Sequence, residues 1–169
     1  MKVLVLAADD FEDLELFVPL YRLREAGHTV VVAGPRTGTV TGKHGYSVAV
    51  DCTFEQVWAG DFGALVIPGG RAPEAVRLNG AAIAAVRQMD GAGKPIAAIC
   101  HGAQVLVSAR LVAGRNLTCY QGVRDDVIAA GGHYQDAELV VDGHLITSRS
   151  PEDLPAFCGE LLRQLQVRR

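Results

Sequence analysis

The sequence has no apolar run long enough to cross a membrane, no excess of positive charge, no closely spaced cysteine pair and no internal repeat. Each absence removes a class of function. The run Met1-Lys2-Val3-Leu4-Val5-Leu6-Ala7-Ala8 turns acidic at Asp9-Asp10, too soon for a signal-peptide core and far too soon for a spanning helix. No membrane partner is expected, and the expected compartment is the cytoplasm. A net charge of −3 gives no basic footprint for nucleic acid. The four cysteines (Cys52, Cys100, Cys119 and Cys158) lie far apart without CxxC spacing, which argues against a disulfide framework and a zinc site. His133 and His144 have no ligand neighbours at metal spacing, so neither a metal nor another cofactor is expected. What is present is ordinary for a globular chain. Hydrophobic residues at 49% and charged residues at 21% over 169 residues fit one domain, 1–169, with a sizeable core.

Strand and helix patterns alternate along the whole chain. Strands are predicted at 2–8, 29–33, 64–67, 96–99 and 116–119, and helices over 11–26, 81–92, 100–109, 123–130 and 151–166. Short strands at 38–42 and 47–50 flank the turn Lys43-His44-Gly45, and Phe54 to Trp58 reads as one helical turn. Asp142-Gly143 is the predicted turn of a hairpin between 138–141 and 144–147. This alternation implies an α/β fold with a mostly parallel sheet covered on both faces. Ligands in such sheets bind beyond the carboxyl ends of the strands. Three strand ends carry polar or glycine-rich turns, at 9–15, 68–71 and 100–102, and they converge on one pocket if those strands are neighbours.

Cys100 ends the apolar run Ile96-Ala97-Ala98-Ile99 and precedes a helix-forming stretch. Ala98 at minus two and Gly102 at plus two give the spacing of a nucleophile elbow. A helix N-terminus and nearby N–H groups are expected to favour the thiolate there. Glu12 and Glu15 lie three apart at the start of the first helix and share roughly one face. A carboxyl beside a thiolate is expected to have a raised pKa through like-charge repulsion, and, protonated, to donate to sulfur or move a proton. Taken singly, each glutamate reads equally well as surface charge near a helix start. The Gly70 N–H with the His101 N–H would form an oxyanion hole, unless Gly69-Gly70 serves only a tight turn. His101 is the candidate base, but sequence neighbours in a helix do not face each other, so a third group must orient it. Glu74 is the candidate for that part, directly or across a subunit interface. His44 and Tyr46 are candidates for an oligomer interface or the substrate cleft, Trp58 for a satellite core, and His28 for a solvated cap.

Four stretches in one order carry a family resemblance: Asp9-Asp10-Phe11-Glu12-Asp13-Leu14-Glu15, Thr41-Gly42-Lys43-His44-Gly45-Tyr46, Pro68-Gly69-Gly70-Arg71-Ala72-Pro73-Glu74 and Ala98-Ile99-Cys100-His101-Gly102. Asp125-Asp126 and Val141-Asp142-Gly143 extend it toward the C-terminus. Together they resemble the PfpI-type intracellular proteases, in the superfamily of the parkinsonism-associated protein deglycase and the glyoxalase III enzymes. The resemblance implies a flavodoxin-like three-layer sandwich with Cys100 as nucleophile and Glu15 as the carboxyl touching its sulfur. It implies Glu12 and Tyr120 as further pocket residues, and a Glu74 from a neighbouring subunit completing Cys100 and His101. It also implies a homo-oligomer, dimers assembling into hexamers. The histidine after the cysteine places the chain on the PfpI branch.

Two reactions need these parts. In one, Cys100 attacks an α-oxoaldehyde or its protein adduct, and Glu15 or His101 moves a proton between the two carbons. In the other, Cys100, His101 and Glu74 hydrolyse a peptide. The substrate is accordingly a small carbonyl compound or a peptide. A non-enzymatic alternative is a redox-sensing stress-response module, with oxidised Cys100 stabilised by protonated Glu15. A glutamine amidotransferase is excluded, because the region Thr147-Ser148-Arg149-Ser150-Pro151-Glu152 lacks the His-x-Glu pair it needs.

Overall fold

The computed structural model describes residues 1–167, so the last two residues of the predicted domain lie outside the described part. In chain order the elements are β1 (Lys2–Leu6), α1 (Asp13–Glu25), β2 (Thr29–Gly34), the hairpin β3 (Gly38–Thr41) and β4 (Ser47–Val50), β5 (Cys52–Thr53) and β6 (Ala64–Ile67). There follow α2 (Ala72–Val76), α3 (Gly80–Gly91), β7 (Ile96–Ile99), α4 (Ala103–Ser108), β8 (Asn116–Leu117) and α5 (Arg124–Ala129). The chain continues through β9 (His133–Tyr134), the hairpin β10 (Val140–Asp142) and β11 (Leu145–Ser148), and α6 (Leu154–Val167).

Seven strands form one sheet in the order β10-β11-β7-β6-β1-β2-β5. Every pairing is parallel except β10 with β11. The central strands β6 and β7 are buried at every residue, and β1 at all but Lys2. Their unbroken apolar runs are the signature of strands covered on both faces. Helices α1 and α6 pack together over β2 and β11, while α3 and α4 cover β6 and β7 with α2 and α5 outside them. The result is the flavodoxin-like three-layer sandwich. Among the described residues no helix is long and apolar enough to cross a membrane.

The order decides where a site can form. After β1 the chain crosses to β2 on one side, then returns to build β6, β7 and β11 on the other. Loops diverge at that reversal and leave a crevice at the strand C-termini. The strands β1, β6 and β7 are adjacent, so the three polar turns do converge.

Several details differ from expectation. Asp142 pairs with Leu145, so the hairpin turn is Gly143-His144, one residue later than the Asp-Gly signal suggests. The strand at 116–119 shortens to β8 and pairs with β9 outside the main sheet. The helix α2 was not expected, because five residues are too few to show periodicity, although Pro73 occupies a first-turn position. Trp58 is exposed and His28 is buried, the reverse of what their surroundings in sequence indicate.

Gly102 is fixed by contact with the neighbouring strand end: a Cβ there would come within 2.5 Å of the Ile67 carbonyl oxygen. Gly102→Ala is expected to lose about 1–3 kcal/mol in urea unfolding, the usual range for overpacking. Gly159→Ala is the control. It lies exposed within α6, where an added Cβ meets nothing, and is expected to gain about 0.5–1 kcal/mol.

Candidate active site

The turn after β7 is abrupt. Ile99 is still extended (φ −125, ψ 145). Cys100 then adopts a left-handed φ of 61 before a 3-10 turn over Cys100–Gly102 leads into α4. A residue with a Cβ held there costs about 1–2 kcal/mol. Cys100 is left 8% exposed at the crevice floor. Because the Cys100 φ is positive rather than right-handed helical, its side chain and that of His101 are not splayed apart. The sulfur lies 3.2 Å from His101 Nδ1, so the rule that adjacent helical residues do not meet does not apply here. Tyr120 holds the imidazole: the rings stack with centroids 4.7 Å apart and planes 25° apart, and the Tyr120 N–H donates to the Cys100 carbonyl at 3.2 Å.

Glu15 reaches the same point from α1. It is fully buried, and its Oε2 accepts the Gly69 N–H at 2.8 Å. Burial raises its pKa from the usual 4.5 to about 8, against the opposing effects of the Gly69 N–H and of Cys100. The main cause is therefore desolvation rather than the like-charge repulsion expected. Burial first, and then the Glu15 charge, push the Cys100 thiol upward, while the N–H groups of His101 and Gly70 favour thiolate. The expected resting thiolate is thus corrected to a thiol beside a protonated carboxyl. A proton on Glu15 removes the charge that opposes sulfur ionisation, leaving the two N–H groups facing the sulfur. The Gly70 and His101 N–H groups, expected from sequence as oxyanion donors, both face the Cys100 sulfur.

Glu12 is buried beside them, ion-paired with Lys43 Nζ and 3.5 Å from His44 Nε2. Lys43 is a site residue that reading the 43–45 turn only as a hairpin tip misses. The Asp13 carboxylate accepts the His44 N–H at 2.9 Å and the Tyr46 N–H at 3.1 Å, and the Lys43 N–H donates to the Phe11 carbonyl at 2.9 Å. Those bonds pin the β3–β4 tip to the start of α1 and bring the lysine over the cleft. Glu12, Asp13 and His44 also present three ligand atoms within 4.8 Å of one another. Lys43 and the two backbone N–H groups already engage those carboxylates. Tyr46 points away, edge-on to Phe17 at 6.1 Å, and stays outside the cleft.

The cleft holds about 240 Å³ and is lined by all seven predicted residues, Glu12, Glu15, Gly70, Glu74, Cys100, His101 and Tyr120. Lys43, Arg71, Ser150 and Pro151 complete the wall. Glu74 enters from its own chain through α2. Burial and the Lys43 charge hold His101 below its usual pKa, and the Glu74 charge pulls it back up. The imidazole is therefore neutral near pH 7 and able to accept a proton from the sulfur. Pocket, thiol, imidazole and buried acid lie together at three adjacent strand ends.

The DJ-1/PfpI family model matches residues 1–164. The chain belongs to that family. It is 54% identical over 166 residues to Deglycase PH1704 of Pyrococcus horikoshii, covering 98% of this chain and 100% of that protein. It is 43% identical over 167 residues to Protein/nucleic acid deglycase 2 of Escherichia coli, covering 97% of each. Among solved structures, Drosophila melanogaster DJ-1beta superposes with a TM-score of 0.90 at 31% identity, covering 97% of this chain and 89% of that one. Deglycase names among such close relatives support an enzyme of DJ-1/PfpI type.

The raised pKa of Glu15 has a consequence for stability. Between about 4.5 and about 8 the folded chain holds a proton that the unfolded chain has lost, so stability falls as pH rises through that window. Glu15→Gln keeps the neutral shape and has no proton to lose. Its melting temperature is expected to exceed that of the wild type, with a difference that widens from about pH 5 to about pH 8.5. A constant difference across that range would mean that Glu15 is ionised when folded.

Proposed function

We propose that this DJ-1/PfpI protein is a cysteine-nucleophile enzyme acting on α-oxoaldehydes and on their adducts with protein side chains. The observation that carries the reading is the Cys100 sulfur 3.2 Å from a neutral imidazole and beside a buried, protonated Glu15. Rearranging an oxoaldehyde needs a nucleophile for the aldehyde carbon, a base for its hydrogen and an acid for the neighbouring ketone oxygen. The deglycase names of the relatives support the same chemistry.

The steps balance without a cofactor. His101 takes the thiol proton as sulfur adds to the aldehyde carbon, then returns it to the new oxygen, giving a hemithioacetal. An amine adduct gives the same species when the amine departs with a proton. His101 next removes the hydrogen on that carbon while Glu15 protonates the adjacent ketone oxygen. The resulting enediol takes the proton from His101 on its second carbon and returns one to Glu15, leaving a 2-hydroxyacyl thioester. Water then releases the 2-hydroxy acid and restores the thiol. The His101 and Gly70 N–H groups face the oxygen charge at each addition.

The same contact between sulfur and imidazole, with Glu74 near the imidazole, also supports peptide hydrolysis through an acyl-enzyme. A homo-oligomer belongs to the proposal too, supported by the exposed Leu14 and Tyr21 along one side of α1 with Tyr46 beside them.

The test is lactate release from methylglyoxal without glutathione, run beside cleavage of a fluorogenic peptide. Lactate production is expected, with a loss of at least about 100-fold in Cys100→Ala. Peptide cleavage without lactate would assign the hydrolytic reading. Inactivity in both would leave the redox-sensing role of Cys100 as the surviving alternative.

A further inference from the structure

A second cavity, of about 340 Å³, adjoins the cleft and shares two walls with it, Tyr120 and Ser150. Tyr120 therefore stands at the junction, its ring stacked on His101. Nothing in the chemistry at Cys100 uses the rest of this second space. Gln121, Arg124 and Tyr134 line it, with Cys119, Asp136 and Arg149 completing the wall.

The donors and acceptors there are specific. Arg149 is committed: its Nε and one terminal nitrogen bond the two Asp153 oxygens at 2.9 and 3.1 Å, and the other bonds Asp136 at 2.9 Å. Arg124 gives its Nε to Asp125 at 2.9 Å and has no other hydrogen bond among the described residues. The space thus offers one uncommitted guanidinium edge, a carboxamide, a phenol and a hydroxyl, with a carboxylate close by. Mixed donors and acceptors of nearly balanced charge suit the amides of a polypeptide backbone. A phosphate would meet Asp136 in the wall, with only that one guanidinium edge to bind it. Size points the same way. The cleft at Cys100 is smaller than the roughly 300–1,000 Å³ usual for ligand sites, whereas the adjoining space falls within it.

We propose that this second cavity is a subsite for the polypeptide main chain that carries the group reacting at Cys100. The proposal rests on Cys100 as the reacting centre and holds for an oxoaldehyde adduct on a side chain or for a scissile peptide. Gln121, Arg124 and Tyr134 then select large substrates over free small aldehydes, while Tyr120 separates the reacting end from the carrier.

The test measures binding in Cys100→Ala protein, so that it does not depend on turnover. The probes are a fluorescent, end-capped pentapeptide bearing Nε-(carboxyethyl)lysine, the same modified lysine as a capped single residue, and a carboxyethyl-guanosine monophosphate. Gln121→Trp, which fills the space, and Arg124→Ala, which removes its guanidinium, are made on exposed positions and checked for folding by thermal melting. The pentapeptide is expected to bind at least about tenfold tighter than the single residue, and each substitution is expected to erase most of that advantage. Equal affinity for peptide and single residue would overturn the proposal, as would equal weakening of both by Gln121→Trp. Preference for the nucleotide, lost in Arg124→Ala, would overturn it in favour of an anion site. Peptide preference in a protein whose wild type turns over no oxoaldehyde adduct would support the subsite while removing the oxoaldehyde reading.

Discussion

The hydrogen bond from the Gly69 N–H to the buried Glu15 carboxyl ties two chain segments that lie 54 residues apart. It joins the first helix to the end of β6 directly beneath the β7 turn. Neither partner has room to spare, since a Cβ on Gly69 would sit 2.7 Å from that of Cys100. The carboxyl, the glycine turn and the thiol therefore occupy one contact, and each sets the position of the other two. Around it, the N–H of Glu12 donates to the Gly69 carbonyl and that of Arg71 to the Asp10 carbonyl, which seals the β1 and β6 ends together. The convergence of three loops is thus a matter of backbone hydrogen bonds before it is one of side-chain chemistry.

Burial in that contact reverses the usual assignment of charge. An acid next to a cysteine would ordinarily be the ionised member of the pair. Here desolvation keeps the proton on Glu15, and the fixed N–H groups of Gly70 and His101 supply a preorganised field for negative charge on sulfur. The compensating positive charge lies farther out, on Lys43, where Glu12 holds it in its cationic form. Acid, thiol and lysine are layered from the core outward, and the lysine is paired with the buried Glu12 carboxylate.

Much of this could be read from the residues themselves. The runs Val3-Leu4-Val5-Leu6, Ala64–Ile67 and Ile96–Ile99 mark doubly covered strands, and small residues two positions either side of Cys100 mark the elbow. The motif order implied the fold family and the set of residues now found around one cleft. Other features depend on facts that sequence does not carry locally. Whether Glu15 faces water or the core decides its protonation, and only the packing of α1 settles that. The sulfur–imidazole contact follows from one left-handed dihedral angle, invisible to any argument from helical spacing. Lys43 reaches the site because Asp13 captures a hairpin tip 31 residues away. Its signal was the Gly42-Lys43-His44-Gly45 stretch, but a turn-forming composition is an equally sufficient reason for those residues. The strands β5, β8 and β9 are two residues each, below the length at which alternation has meaning.

The left-handed backbone at Cys100 sets its thiol against the stability of its own turn. Glycine would occupy that conformation at ease, yet glycine has no sulfur, so the position keeps a side chain the local fold disfavours. Over many generations, selection for robustness alone would drift this position toward glycine and silence the thiol. A library sorted only for resistance to heat would enrich thiol-free descendants at this one codon while improving the rest of the chain.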